Sequence, residues 1–190
     1  MYEKLIAIFE HLAPLTSEDK KLVEKVFKPM HLAKGEYFQQ AGYKSDKVGF
    51  LVSGLVYYSA LKNDEEAVTD FTKEGEFVSE YHTFVAQQPA IHNIKAIEDS
   101  ELLVVSYQGL QTFFNDTLNG NKIGRLIIEH RFGIVVNQLV SLNKNTPEER
   151  YTLFVKNYFE LTQRIPQYLI ASFIGVKPQS LSRIRSRMTK

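Results

Sequence analysis

The sequence predicts an α+β fold: an antiparallel, jelly-roll-like β-roll with flanking helices, then one long helix, then a C-terminal pair of short helices. Three observations predict it. Between Met30 and Ser106, short apolar or alternating runs recur at a spacing of roughly ten residues, divided by turn residues. Helical periodicity frames that stretch on both sides. Charge is also segregated. The chain nets +1 from 23 basic and 22 acidic residues, yet residues 161–190 carry six basic side chains and no acid. A nearly neutral protein with a basic end is the footprint of a polyanion-binding segment, or else of a solvated basic helix.

Composition narrows the function classes. The 190 residues are 44% hydrophobic and 24% charged, ordinary for a globular chain able to bury a core. Cysteine is absent, which removes disulfides, thiolate catalysis, Cys-ligated zinc and iron–sulfur clusters. The longest apolar stretches, such as LIIEHRFGIVV (126–136), are broken by charges, so no membrane span is expected. The opening MYEKLIAIFEHL carries acids and no small-residue cleavage site follows, so a cytoplasmic location is the expectation.

The elements follow in order. Leu5, Ile8, Phe9 and Leu12 lie at helical spacing until Pro14 stops the run. Thr16-Ser17-Glu18-Asp19 reads as a capped helix start, with Leu22, Val23, Val26 and Phe27 on one face. Eight strands are expected at 31–33, 37–40, 48–53, 55–61, 67–72, 76–80, 92–97 and 102–106. Glycines at 35, 42, 54 and 75 stand in the breaks, where turns need a positive φ. Leu110, Phe113 and Phe114 mark a short helix, and a long one is expected from about Lys122 to Asn143. On it Ile128, Phe132, Val135, Leu139 and Leu142 step by 4, 3, 4 and 3, the spacing of a helix seam, beside a second stripe of Ile123, Ile127 and Ile134; a homodimer is expected, the alternative being a helix buried on both sides within one subunit. Thr146-Pro147-Glu148-Glu149 starts another helix, expected to run to about Leu161. The division is thus 1–120 for the β-roll, 121–145 for the long helix and 146–190 for the C-terminal helices.

The most specific segment is IPQYLIASFIGVKPQSLSRIRSRMTK (165–190). Leu169, Ile170 and Phe173 face inward on a first helix, and Ala171 is small where a second helix would cross. Gly175 supplies the turn and Val176 plugs the corner. Pro178 opens the second helix, whose buried face is Leu181, Ile184 and Met188. This is helix-turn-helix spacing. Gln179, Ser180, Ser182 and Arg183 then stand where such a unit meets base edges, Arg185 and Arg187 where it meets phosphates, and Gln167 at the start of the first helix. DNA is the expected partner; the alternative is an ordinary helical hairpin with a basic surface.

These residues resemble the Crp/Fnr family of bacterial transcription regulators over essentially the full length. The likeness rests on Leu32-Ala33-Lys34-Gly35-Glu36, Phe50-Leu51-Val52-Ser53-Gly54, Gly75-Glu76-Phe77 with Glu80, and Ala171 to Arg185 including LSRIR. It implies a cyclic-nucleotide-binding-like β-roll sensor, a dimerisation helix and a winged helix-turn-helix. It implies DNA, a second copy, a small-molecule effector and RNA polymerase as partners. The expected effector pocket comprises Glu80, Tyr81, His82, Ala90, Ile91, His92, Val135 and Val136. The sequence departs from the family in two places. Glu80 matches the acid that takes the ribose, but the Arg-Ser pair that holds the cyclic phosphate falls on Ala90-Ile91. The polar pair of the long helix falls on Val135-Val136. A buried phosphate needs a charge-assisted partner; His92 or Lys95 would have to substitute. The implied effector is therefore one other than cyclic AMP. The second departure is the wing: the sequence stops at Lys190 directly after the recognition helix, which implies lower non-specific affinity.

Catalytic chemistry has no candidate. The histidines at 11, 31, 82, 92 and 130 form no metal-ligand motif, although His82 and His92 could face one pocket across adjacent strands. No phosphate-cradling loop, nucleophile elbow or spaced carboxylate pair is present. No enzyme activity, metal or cofactor is expected. Tyr57, Tyr58, Phe71, Phe77, Tyr81 and Phe84 read as core, or as the lining of an apolar pocket. Two competing readings remain: a non-catalytic ligand-binding β-roll whose C-terminal helices serve protein contacts, and a cupin-like metalloenzyme.

Overall fold

The computed structural model describes residues 1–62 and 65–188. Its elements are α1 (Tyr2–Leu12), α2 (Ser17–Val26), β1 (Lys28–Leu32), β2 (Tyr37–Gln39), β3 (Lys47–Ser53), β4 (Leu55–Lys62), β5 (Glu65–Lys73), β6 (Phe77–Val78), α3 (Tyr81–Ala86), β7 (Asn93–Ala96), β8 (Ser100–Ser106), α4 (Tyr107–Asp116), α5 (Gly120–Lys144), α6 (Pro147–Asn157), a 3-10 turn (Phe159–Leu161), α7 (Gln167–Phe173) and α8 (Pro178–Met188). They cluster into two units, Met1–Ala60 with Asp70–Glu129, and Leu61–Thr69 with His130–Lys190.

In the first unit each of the eight expected runs forms a strand. Two four-stranded sheets result, in the orders β1-β8-β3-β6 and β2-β7-β4-β5. Register explains the sequence pattern. Along β3, Val48, Phe50 and Val52 face a helical layer, while Leu51 enters the core shared with the second sheet; along β8, Leu103 and Val105 part from Leu102 in the same way. A sheet buried on both faces needs no polar alternation, which is why VGFLV and LLVV are continuous. Each fully buried side chain of this kind contributes about 1.5–3 kcal/mol. Gly49 lies between: a Cβ there would stand 2.9 Å from Val78 Cγ1 and 3.1 Å from Phe38 Cε2, so the roll's interior closes over bare backbone.

The helical layer is aromatic. Phe9 lies 4.9 Å from Phe113 and 6.0 Å from both Phe27 and Phe77, centroid to centroid. Phe77, Phe84, Tyr81 and Tyr107 join this layer, which makes them packing residues. Thr16 caps α2 in a reciprocal box with Asp19, and Ile123 and Ile127 at the start of α5 pack on the same layer.

The second unit starts from the far part of α5. Thr146 and Glu149 form a capping box at α6, with Pro147 in the first turn. Two hydrogen bonds from Thr146, backbone first and hydroxyl second, hold the Glu149 carboxyl below the usual range. Phe154, Tyr158 and Phe173 pack ring on ring, and Leu161, Ile165, Leu169, Ile170, Leu181 and Ile184 complete the core.

Four expectations need correction. Residues 81–86 form the helix α3, so His82 is not on a strand beside His92 and stands exposed. That helix ends at Gln87, whose φ of 54° is left-handed. The helix from Pro147 stops at Asn157 and yields to the 3-10 turn instead of reaching Leu161. The corner of the two-helix motif is filled by Ile174, 1% exposed, while Val176 is half-buried. Met188 is 49% exposed, because it lines the open groove beside Tyr151 and Val155 of α6, so only Leu181 and Ile184 of α8 are buried. Among the described residues no helix is long and apolar enough to cross a membrane.

Candidate nucleic-acid interface and effector pocket

The two-helix motif is built by its turn. The peptide N–H of Val176 donates to the Ala171 carbonyl at 2.9 Å, and Gly175 takes a φ of 73°, left-handed backbone that favours glycine. Ala171 is fully buried, as a close helix crossing demands. From α6, Arg150 braces the turn: Nε donates to the Ile174 carbonyl at 2.8 Å and a terminal nitrogen to Asn145 at 2.7 Å.

With Leu181 and Ile184 inward, Gln179, Ser180, Ser182, Arg183, Arg185 and Arg187 are all exposed on α8, as is Gln167 on α7. They divide between two flanks of α8. Ser182 and Arg185, with Gln167, line a groove of about 640 Å³ against Tyr151 and Val155 of α6. At 100° per residue, Ser180 and Arg183 fall on the opposite flank, with Gln179 between the two. Arg187 donates to Glu148 at 2.6 Å, so part of its charge is met within the fold.

On α5, Ile128, Phe132, Val135, Leu139 and Leu142 are exposed along one seam, from 37% at Ile128 to 69% at Phe132. Val136 is exposed beside them. Such a run of large apolar side chains is costly to leave in water.

The first unit gathers Glu80, Ile91 and His92. Glu80 is buried, and its Oε2 accepts the backbone N–H of Ile91 at 2.9 Å and of His92 at 3.1 Å. Its Oε1 lies 2.9 Å from His92 Nδ1, within hydrogen-bond distance. Ala90 is buried and joins the loop by backbone alone, bonding Tyr43 and Gly42 at 2.8 Å each. Ile91 stands 66% exposed. Tyr81 is half-buried, and burial, then the neighbouring Tyr107, raises its phenol above the usual range. Val135 and Val136 belong to the second unit. What the sequence did not disclose is that the Glu80 carboxylate is spent on its own chain. Among the described residues no group of three or more His, Cys, Asp or Glu is placed to hold a metal.

Residues 29–117 match the family model of the cyclic nucleotide-binding domain. No curated protein matches the chain in sequence. Solved structures match its fold. FixK2 from Bradyrhizobium japonicum superposes with a TM-score of 0.76 at 14% identity, over 86% of this chain and 85% of its own. The c-di-GMP responsive global regulator CLP of Xanthomonas campestris gives 0.71 at 16%, over 92% of each chain. A protein assigned to the Crp/Fnr regulators in Eubacterium rectale gives 0.70 at 12%, over 92% of this chain and 84% of its own. Residues 29–117 are therefore similar to a cyclic nucleotide-binding domain, and the chain shares its fold with these solved structures.

Proposed function

We propose that the protein is a non-catalytic, homodimeric DNA-binding transcription regulator. The observation that carries this reading is the exposed polar and basic surface of α8 on a two-helix motif closed by Gly175. Gln179 and Arg183 have the side chains that read adenine and guanine in pairs of hydrogen bonds, and Ser180 and Ser182 adapt to either. Arg185 and Arg187 add phosphate attraction. The apolar seam of α5 is the contact for a second copy, which would supply the second reading helix that a two-fold site needs.

The effector, in this proposal, is not a cyclic nucleotide. A ribose would compete with two backbone N–H groups and His92 for the Glu80 carboxylate. Neither Ala90 nor Ile91 offers a cyclic phosphate a charged partner. Exposed Ile91 suits a weakly polar ligand instead.

One observation favours a second reading. The groove between α6 and α8 could seat a protein segment, with the C-terminal helices serving protein contacts. Salt separates the two, since phosphate binding falls steeply as counterions are restored. Fluorescence anisotropy on a labelled random-sequence duplex, across a salt series, is the test. Wild type should bind with a clear salt slope, and the triple variant Arg183→Ala/Arg185→Ala/Arg187→Ala should lose binding. A folded wild-type dimer that ignores the duplex at low salt would overturn the DNA reading.

A further inference from the structure

Leu61, Lys62 and residues 65–69, at the adjoining ends of β4 and β5, cluster with the second unit and not with the sheets from which these strands extend. One side chain of α7 ties them there. The Ser172 hydroxyl accepts the backbone N–H of Val68 at 2.9 Å and donates to the Glu66 carbonyl at 3.2 Å. A hydroxyl is suited to this because it can donate and accept at once, so it spans two backbone groups of one strand. Val68 is 6% exposed, while Leu61, Glu65, Glu66 and Thr69 around it are exposed. Val68 is thus a buried point of this segment, and one serine bonds the backbone on either side of residue 67.

We propose that Ser172 is a positioning residue: within the second unit its hydroxyl clamps the Glu66–Val68 backbone to α7 and so steadies the two-helix motif for docking on DNA. The proposal rests on the DNA-binding reading above. Its logic is preorganisation. A motif held only through flexible chain must lose orientational freedom when it docks, and a tie to strand backbone removes part of that cost beforehand. The clamp does not cover the reading surface, because Gln179, Ser182 and Arg183 remain exposed. Nor is Ser172 a DNA contact, since its donor and one acceptor site are engaged. Loss of the clamp should therefore weaken binding rather than release it.

The test uses the full chain as wild type, Ser172→Ala and Ser172→Thr, with two readouts. The first is hydrogen exchange at the Val68 amide. It should be protected in wild type and Ser172→Thr, and exchange much faster in Ser172→Ala. The second is anisotropy on the labelled duplex, where Ser172→Ala should bind about three- to tenfold more weakly. Its salt slope should be unchanged, because no phosphate contact is removed. Ser172→Thr should restore the affinity. A merely structural serine would alter thermal unfolding instead, which should stay as in wild type. Equal Val68 exchange in wild type and Ser172→Ala overturns the clamp, and equal duplex affinity overturns its positioning role. If wild type binds no DNA, the functional reading falls, while the Val68 exchange still decides whether the clamp exists.

Discussion

Gly54 shows how a single backbone angle constrains this chain. Its φ of 104° lies in the region that favours glycine, and a Cβ built there would reach within 2.7 Å of the Ser100 Cα and collide with the Ser100 side chain. Ser100 cannot yield easily, since it is buried and its hydroxyl donates to the Glu98 carbonyl at 2.8 Å. Conformational strain of about 1–3 kcal/mol therefore adds to an overpacking cost of similar size. Gly54→Ala should lower stability by ~2–5 kcal/mol, read as an earlier midpoint in urea unfolding; a midpoint within error of wild type would refute this. The need for glycine was legible from its place after a strand, but the collision with Ser100 was not, because it depends on a partner 46 positions away. The same holds for Glu80. The acid could be picked out from its neighbours in sequence, whereas its capture by Ile91 and His92 depends on how one loop folds back.

At the scale of elements, strands and long helices were legible because their signal is local. Period-2 or continuous apolar runs, four of them ended by glycine, predicted the eight strands, and the Thr-Pro-Glu-Glu start predicted α6. The helix α3 escaped because it has six residues and no side-chain cap at Glu80, so neither period nor capping marked it. The end of α6 was set by Tyr158, with φ −128° and ψ 32°, where the chain tightens into a 3-10 turn without proline or glycine to announce it. The α5 seam makes the sharpest prediction at this scale. Leu139 is 60% exposed in the single chain, mid-seam between Val135 and Leu142. If a second copy covers it, Leu139→Asp buries an unpaired carboxylate, which costs several kcal/mol on each side of the two-fold contact. Light scattering on the eluted variant should give a monomer or aggregate, against a dimer for wild type. A dimeric variant would put the contact elsewhere.

For the whole molecule the decisive question is what residues 29–117, similar to a cyclic nucleotide-binding domain, answer to. Its fold and its match over residues 29–117 would suggest a cyclic nucleotide, but the residues present argue otherwise. Thermodynamic linkage makes the disagreement measurable. A ligand that binds only the folded protein stabilises it by about 2.7 kcal/mol at a hundred times its Kd. For a chain of this size each kcal/mol is worth ~2–4 °C in Tm. A resident cyclic nucleotide at saturation should therefore raise Tm by roughly 5–10 °C. We expect cyclic AMP to leave Tm unchanged: Ala90 and Ile91 provide no cation for its phosphate, and displacing His92 and two backbone donors from Glu80 would cancel what a ribose gains there. A shift that saturates with cyclic AMP would overturn the effector argument without touching the DNA reading, because α8 and the α5 seam make no use of Glu80. Absence of a shift would direct the search to ligands that leave the Glu80–His92 pair intact and bind the apolar surface at Ile91, with Tm again as the readout.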